Sequence, residues 1–423
     1  MLAMSPVGGG AGAWSPRLSA VVAKTDRDSG LTLGLPAHLS DAAAVADLLW
    51  AGFLPAAVKQ FLAVEAGSAD AGAALVRFLA GVHDVGKASD TFQNSLPPTF
   101  TSGLRQHGLP LSNSRQQVPH GTIGQLAVED WLSRQHGRGP GTRHLAEVIG
   151  GHHGLNPTVG DVSCARMGYL PLERAFWREV REELLAEMAA RSGAEQYLAG
   201  WVANGLSLPA RVLLQGIVIL ADWIASNTDY FPFLDARTSH ERAADAVEAL
   251  ALGQPWSPPP PLPTPDLFAK RFPALSAPNP LQLAAAEIAR TAAEPCLLVI
   301  EARPGLGKTE AGLLAAEILA DRFGAGGLFV GLPTMATANP MFLRVVAWLQ
   351  TMGEQVNSLN LAHGKAALNR DYAALLPNPR VSAVYGDGDR VRVVSWLRGR
   401  KRNLLANSVV GTIDQFLMGG LKA

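Results

Sequence analysis

Cysteine is nearly absent: Cys164 and Cys296 are the only two in 423 residues, and no Cys-x-x-Cys pair exists. That excludes a disulfide framework, a zinc knuckle and a dithiol redox centre, and it favours a reducing, cytoplasmic compartment. Charged residues are scarce too, at 17%, and 36 Lys+Arg are balanced by 36 Asp+Glu. A wholesale cationic coat for gripping nucleic acid is therefore excluded, and a polyanionic partner has to be held by local patches or metals. No apolar run reaches the about 18 residues needed to span a bilayer. The Gly/Ala-rich start, Met1 to Trp14, lacks the basic flank and apolar core of a signal peptide, so a soluble protein with no membrane partner is expected.

What the chain does have is length and apolar residues. At 48% hydrophobic it is not a disordered polypeptide, and about 150 residues per domain suggests two or three domains. From residue 1 to 253, apolar residues recur at spacings of three and four, as in Asp41–Phe53, Ala71–Gly81, Gly121–Trp131 and Leu208–Ser226. This is the grammar of an all-α domain. Residues 254–280 crowd Pro255, Pro258, Pro259, Pro260, Pro261, Pro263 and Pro265 together, which predicts a stiff, extended linker without helix or central strand. In residues 281–423 the short apolar runs Cys296–Ala302, Leu328–Leu332 and Val409–Thr412 end in turn residues and lead into helical stretches. That alternation predicts an α/β lobe with a parallel sheet.

Chemistry concentrates in both halves. Five of the ten histidines, His38, His83, His120, His152 and His153, sit at or beside segment ends. His83-Asp84 closes an apolar helical pattern and is followed by Gly86-Lys87; Gly150-Gly151-His152-His153-Gly154 places two imidazoles among glycines; Asp222 and Ser226 lie four apart on an apolar helix. Imidazole with carboxylate suits a divalent transition metal better than calcium. If Ala71–Lys87 is one helix, Lys87 shares a face with His83 and Asp84, beside a phosphate bound there. Taken singly, His83-Asp84 is a common dipeptide, and Asp222 is equally readable as a buried carboxylate satisfied by backbone donors. His107, His136, His144 and His240 have no second ligand beside them.

In the second half, Ala302-Arg303-Pro304-Gly305-Leu306-Gly307-Lys308-Thr309 stands between an apolar run and the helical pattern Glu310–Phe323. Glycines let backbone N–H groups wrap phosphates, Lys308 reaches the terminal phosphates and Thr309 takes Mg²⁺, so ATP with Mg²⁺ is the expected ligand.

A His, then His-Asp, then further His, then a late helical Asp is the ligand order of the HD superfamily of metal-dependent phosphohydrolases. Together with the phosphate loop, the set resembles the CRISPR-associated helicase-nucleases of type I systems. The resemblance implies an HD nuclease domain holding two metals. His38, His83, Asp84 and Asp222 would hold one, and Asp84 would bridge to a second held by His120, His152 and His153. Lys87 would contact the scissile phosphate and Ser226 would support nearby groups. Iron is the first choice of metal by resemblance; manganese, nickel and cobalt also suit the ligands.

The lobe resembles a RecA-like domain of superfamily-two helicases. Gln282, in Asn279-Pro280-Leu281-Gln282, would read adenine; Thr334, Thr337 and Thr412 would contact DNA. The basic run Arg398, Arg400, Lys401, Arg402 would grip a single strand. The chain ends before any Asp-Glu-x-His segment and lacks a second RecA-like lobe, so ATP hydrolysis is not expected from it alone. The lobe should also expose apolar surface and an unpaired sheet edge. The implied partners are single-stranded DNA, a CRISPR RNA-guided surveillance complex and the remainder of the helicase, including its C-terminal domain. The rival enzymatic reading is an HD phosphohydrolase of small nucleotides with a regulatory phosphate-loop lobe.

Overall fold

Residues 13–112, 117–260, 262–352, 357–375, 391–397 and 402–418 are described in this computed structural model. Arg398, Arg400 and Lys401 lie outside the described residues. The chain divides into two units, one of residues 1–51 and 60–247, the other of residues 52–59 and 248–423.

The first unit is helical, as the periodicity implied. Its framework is α1 (Leu35–Leu48), α2 (Ala69–Val82), α3 (His120–His136), α4 (Pro140–Gly150), α5 (Ala175–Ser192) and α6 (Leu208–Ala225). Side-chain hydroxyls start two of them: Ser68 accepts from Ala71 N ahead of α2 and Ser207 from Ala210 N ahead of α6, each pairing an orphan donor of the first turn. The α2 helix buries Leu75, Phe78 and Leu79, and α6 buries Leu214, Ile217 and Val218. Each such side chain contributes about 1.5–3 kcal/mol.

The unit is not wholly α. Strands β1 (Val22–Thr25) and β2 (Thr32–Gly34) form an antiparallel hairpin ahead of α1. These strands are too short to carry a period that a sequence pattern can resolve.

By length and composition, α6 is the one helix among the described residues apolar enough to cross a membrane. Its buried face packs against α1, α2 and α4, while Leu208, Val212 and Leu213 stay exposed. It also carries Asp222 and Ser226 at its end.

The second unit holds a four-stranded parallel sheet of β3 (Leu328–Leu332), β4 (Asn357–Ala362), β5 (Val391–Arg392) and β6 (Ser408–Thr412), ordered β3-β6-β4-β5. Thus the two runs assigned to strands at 328–332 and 409–412 do pair, and with each other.

Two expectations fail here. Cys296–Ala302 forms no strand and leaves Leu297 and Val299 exposed at 91% and 76%. A strand exists only where neighbours accept its N–H and C=O groups, and no strand among the described residues lies alongside it.

The proline-rich stretch keeps no helix or strand over residues 254–260, but it is not extended throughout: Thr264–Arg271 is a helix, α7. Pro265 stands in its first turn, where proline's missing N–H costs nothing. Leu267 and Phe268 then bury against Ala286, Ala289 and Leu314, and Trp256 enters the core beneath the sheet. Arg271 meets Glu317 in a buried ion pair, with Nε 2.9 Å from Oε2.

Candidate metal centre

The α2 helix stops at Val82, and a 3-10 turn, Val85–Lys87, follows, so 71–87 is not one helix. Asp84 sits between them at φ −101°, ψ 11°. The break turns its carboxylate into the bundle, where it is almost wholly buried. Lys87 still reaches it, with Nζ 2.6 Å from Oδ2, by the tighter turn rather than by helical spacing. Gly86 makes the turn possible, because a Cβ there would lie 1.9 Å from His120 O.

Around this carboxylate four other segments converge. Asp84 Oδ2 lies 3.1 Å from His38 Nε2 of α1 and 3.4 Å from His83 Nε2. Both imidazoles also face Asp222 Oδ1 of α6, at 3.5 and 3.4 Å. The other oxygen, Asp84 Oδ1, lies 3.2 Å from His120 Nε2 at the start of α3 and 3.3 Å from His152 Nε2 in the loop after α4. His153 Nε2 is 2.9 Å from His120 Nε2.

The donor atoms fall into two groups, each small enough to close on one ion: His38, His83, Asp84 and Asp222, and His120, His152 and His153. The first group is buried save for partly exposed Asp222; the second opens to solvent at His153.

This arrangement fits cations. His38 Nε2, His83 Nε2, Asp84 Oδ1 and His152 Nε2 face the centre and are buried without a hydrogen-bond partner. Each such orphan costs about 1–3 kcal/mol, so this many in one place is explained by ions that use their lone pairs. The tautomers agree: His83 Nδ1 is 2.7 Å from Ala80 O and His152 Nδ1 is 2.7 Å from Ile149 O. An N–H donated there leaves each Nε2 lone pair facing the centre.

The electrostatics of the cage favour positive charge. Burial disfavours charge on His83, but Asp84 and Asp222 outweigh it and push that imidazole up to about 10. Against burial, Lys87 and His83 hold Asp84 well below the usual carboxylate range, and His83 and His38 do the same for Asp222. On the open side, burial and then His152 and His120 pull His153 down to about 4, leaving it neutral.

The glycines around His152-His153 serve close approach. A Cβ on Gly150 would meet Gln125 Oε1 at 2.2 Å and one on Gly151 would meet Asn156 Oδ1 at 2.1 Å. Gln215, about two turns before Asp222 on the same face of α6, donates to Gly151 O at 2.8 Å and pins the loop.

Sequence reasoning missed Lys24. On β1, it donates to Ser226 Oγ at 2.6 Å, and Ser226 donates to Asp222 Oδ1 at 2.8 Å. Burial pulls Lys24 down to about 8 although Asp222 draws it up. A lone lysine in a short strand carries no motif, so only the folded chain brings it to the site. His144 belongs elsewhere, accepting from Leu206 N at 3.0 Å.

In the second unit the phosphate loop precedes α9 (Lys308–Phe323), after α8 (Pro280–Thr291). Gly305 and Gly307 take φ of 83° and 74°. Lys308 Nζ donates to Ala302 O and Arg303 O at 2.6 and 2.9 Å. Gln282 is buried: it accepts from Asn279 N at 2.9 Å and donates to Gly307 O at 3.3 Å, bracing the loop. Thr309 Oγ1 accepts from Arg344 Nη1 at 3.1 Å, and Arg344 also pairs with Glu310. A cavity of about 440 Å³ opens here between Phe268, Gln282, Lys308 and Arg344.

Thr334 and Thr337 are exposed at the start of α10 (Met335–Gln350), which Thr334 caps. Thr412 is buried at the end of β6, its hydroxyl bonded to Asp414.

Residues 23–231 match the family model described as Cas3, HD domain. The CRISPR-associated nuclease/helicase Cas3 of Streptococcus thermophilus is 31% identical over 94% of this chain and 46% of its own length. The CRISPR-associated endonuclease/helicase Cas3 of Thermus thermophilus is 36% identical over 92% of this chain and 42% of its own. A crystal structure of T. fusca Cas3 with AMPPNP superposes with a TM-score of 0.74 at 28% identity, covering 95% of this chain and 44% of that one. The chain thus spans about half the length of the relatives it matches. With an HD-type cage in one unit and a phosphate loop and parallel sheet in the other, this chain carries a Cas3 HD domain over residues 23–231 and is similar, over nearly its whole length, to about half the length of the CRISPR-associated nuclease/helicases Cas3.

Proposed function

We propose that the chain is a metal-dependent nuclease acting on single-stranded DNA, joined to the first nucleotide-binding lobe of a helicase. In the full-length protein, an ATP-driven motor would feed the displaced strand of invader DNA to the HD site during type I CRISPR interference. A solved neighbour titled as a CRISPR RNA-guided surveillance complex before nicking, with a TM-score of 0.62 at 25% identity, supports such a complex as the recruiting partner.

One observation carries the nuclease reading: the two oxygens of Asp84 face separate pairs of imidazole Nε2 atoms. A single carboxylate so placed joins two cation sites and offsets their mutual repulsion, which a neutral imidazole cannot do. His38, His83, Asp84 and Asp222 would hold one divalent transition metal, and Asp84, His120, His152 and His153 the other. When bound, such a pair supplies Lewis acidity at the phosphoryl oxygen and a water whose pKa falls from 15.7 toward about 7. Iron, manganese, nickel and cobalt all suit this donor set.

The protein's own groups complete the chemistry. Lys87 places a cation beside Asp84, where a scissile phosphate adds negative charge. The open side at His153 admits the strand, and the buried side fixes the geometry. Ser226 holds Asp222 Oδ1 toward His38 and His83. Lys308 and Thr309 would take the phosphates and Mg²⁺ of ATP, with Gln282 bracing the loop beside adenine. The exposed Thr334 and Thr337, with Arg400 and Lys401, would line the strand's path; the buried Thr412 hydroxyl would not.

The test offers the purified chain labelled single-stranded DNA and a panel of nucleotides with Mn²⁺, Fe²⁺ or Ni²⁺. DNA cleavage that EDTA abolishes is the expected result. Selective hydrolysis of nucleotides with the DNA intact would replace this reading by that of a small-nucleotide phosphohydrolase.

A further inference from the structure

Two lysines, not one, border the carboxylate pair. Lys87 lies on Asp84 Oδ2, and Lys24 reaches Asp222 Oδ1 through the Ser226 hydroxyl. Their backbones are stapled by one buried amide. Gln93 Nε2 donates to Val22 O at 2.8 Å and to Lys87 O at 2.9 Å, while its Oε1 accepts from Val22 N at 3.4 Å. Val22 is two residues from Lys24 on β1, so one side chain sets the position of both lysine-bearing segments.

The polarity of the chain is fixed by donor chemistry. An ammonium donates only, so Lys24 fills a lone pair of Ser226 and leaves the single hydroxyl proton to Asp222. Among the described residues, Ser226 is the one hydrogen-bond acceptor of Lys24 Nζ, which leaves two of its N–H donors unspent. Lys24 is partly exposed rather than sealed in the core.

We propose that Lys24 is a second phosphate-binding lysine of the nuclease site, donating to a non-bridging oxygen of the single strand alongside Lys87, with Ser226 as its anchor. This rests on the nuclease reading above. A strand offers a further phosphate beside the scissile one, whereas a small nucleotide bound through its own phosphates has less to give Lys24. The residue would therefore favour polynucleotide substrates.

Binding of a fluorescein-labelled oligothymidylate to the whole chain, in EDTA at neutral pH, is followed by anisotropy across a salt series. Each phosphate contact on a single strand contributes about 0.7 to the slope of log K against log salt. Lys24→Met should lower that slope by about 0.7 and leave Mn²⁺ stoichiometry by calorimetry unchanged, and Lys24→Arg should restore the slope. With Mn²⁺ present, Lys24→Met should raise KM for DNA more than it lowers kcat.

An unchanged slope in Lys24→Met, with weaker Mn²⁺ binding, would make the residue a positioning group for Asp222 and overturn the proposal alone. Wild-type chain that binds no single strand and cleaves none would overturn the nuclease reading together with it.

Discussion

The two units build their chemistry in opposite ways. The helical unit gathers His and Asp side chains from His38 to Asp222, nearly 200 positions apart, into a cage in which His38 Nε2, His83 Nε2, Asp84 Oδ1 and His152 Nε2 are buried without a hydrogen-bond partner. The phosphate loop spends eight consecutive residues, 302–309, and turns its donors on its own surroundings: Lys308 on Ala302 and Arg303, Gln282 on Gly307, Arg344 on Thr309. The cage is preorganised by packing, and its orphaned atoms are those that the proposed cations would satisfy. The loop is self-satisfied and must exchange contacts when a ligand enters. A site assembled by tertiary structure is thus sensitive to backbone displacement anywhere around it, whereas a contiguous loop answers mainly to its own residues.

The sharpest way to break the contrast is at Asp84. If Asp84 joins two cation sites as proposed, Asp84→Ala should remove several kcal/mol of charge stabilisation, about a thousandfold in cleavage rate. His153→Ala, which removes one exposed ligand, should cost about tenfold. Elemental analysis and single-strand cleavage assays together decide the point, and equal losses for the two variants would deny Asp84 its bridging role.

Next in size is Gly86→Ala. The new Cβ would fall 1.9 Å from His120 O and must push α3 away, lowering stability by about 3 kcal/mol and metal content with it. Gly305→Ala meets open space and bears only its positive φ, about 1–2 kcal/mol. Denaturant titration of both variants compares a tertiary clash with a local one; similar destabilisation would erase the distinction.

In the second unit Lys308→Ala should weaken ATP binding by at least about tenfold, the value of a charge-assisted hydrogen bond, while metal content of the cage stays as it was. Equilibrium binding of a fluorescent ATP analogue reads the first, and metal loss in this variant would contradict the independence of the two chemistries. The smallest effect is expected from Arg344→Ala. Freeing Thr309 and Glu310 from an exposed arginine should tighten Mg²⁺-nucleotide binding about two- to fivefold, the scale of a surface ion pair. Weaker binding would mean that Arg344 aids the nucleotide instead of competing with it.

Reading the sequence succeeded where residues carry a message in their order. His83-Asp84 with the flanking histidines and Asp222 marked the cage, and Gly-Lys-Thr marked the loop. It failed where a partner decides. Cys296–Ala302 has a strand's composition but no neighbour to pair with among the described residues. The proline-rich stretch contains a helix because Pro263 and Pro265 fall at the cap and first turn of α7, where proline is tolerated, and because Leu267 and Phe268 find a core. Lys87 was placed correctly beside Asp84 for the wrong reason, a continuous helix that in fact breaks at Val82.

By itself the sequence determined which side chains are available and in what order: apolar periodicity sets the helices, and ligand types restrict the metal. Only the tertiary structure decided which oxygen of Asp84 faces which imidazoles, that Gln93 ties β1 to the 3-10 turn, and that Lys24 stands at the site. The reason is physical. Helical spacing is fixed by local geometry over a few residues, while the position of a donor atom to within a hydrogen bond's tolerance is set by how distant segments pack.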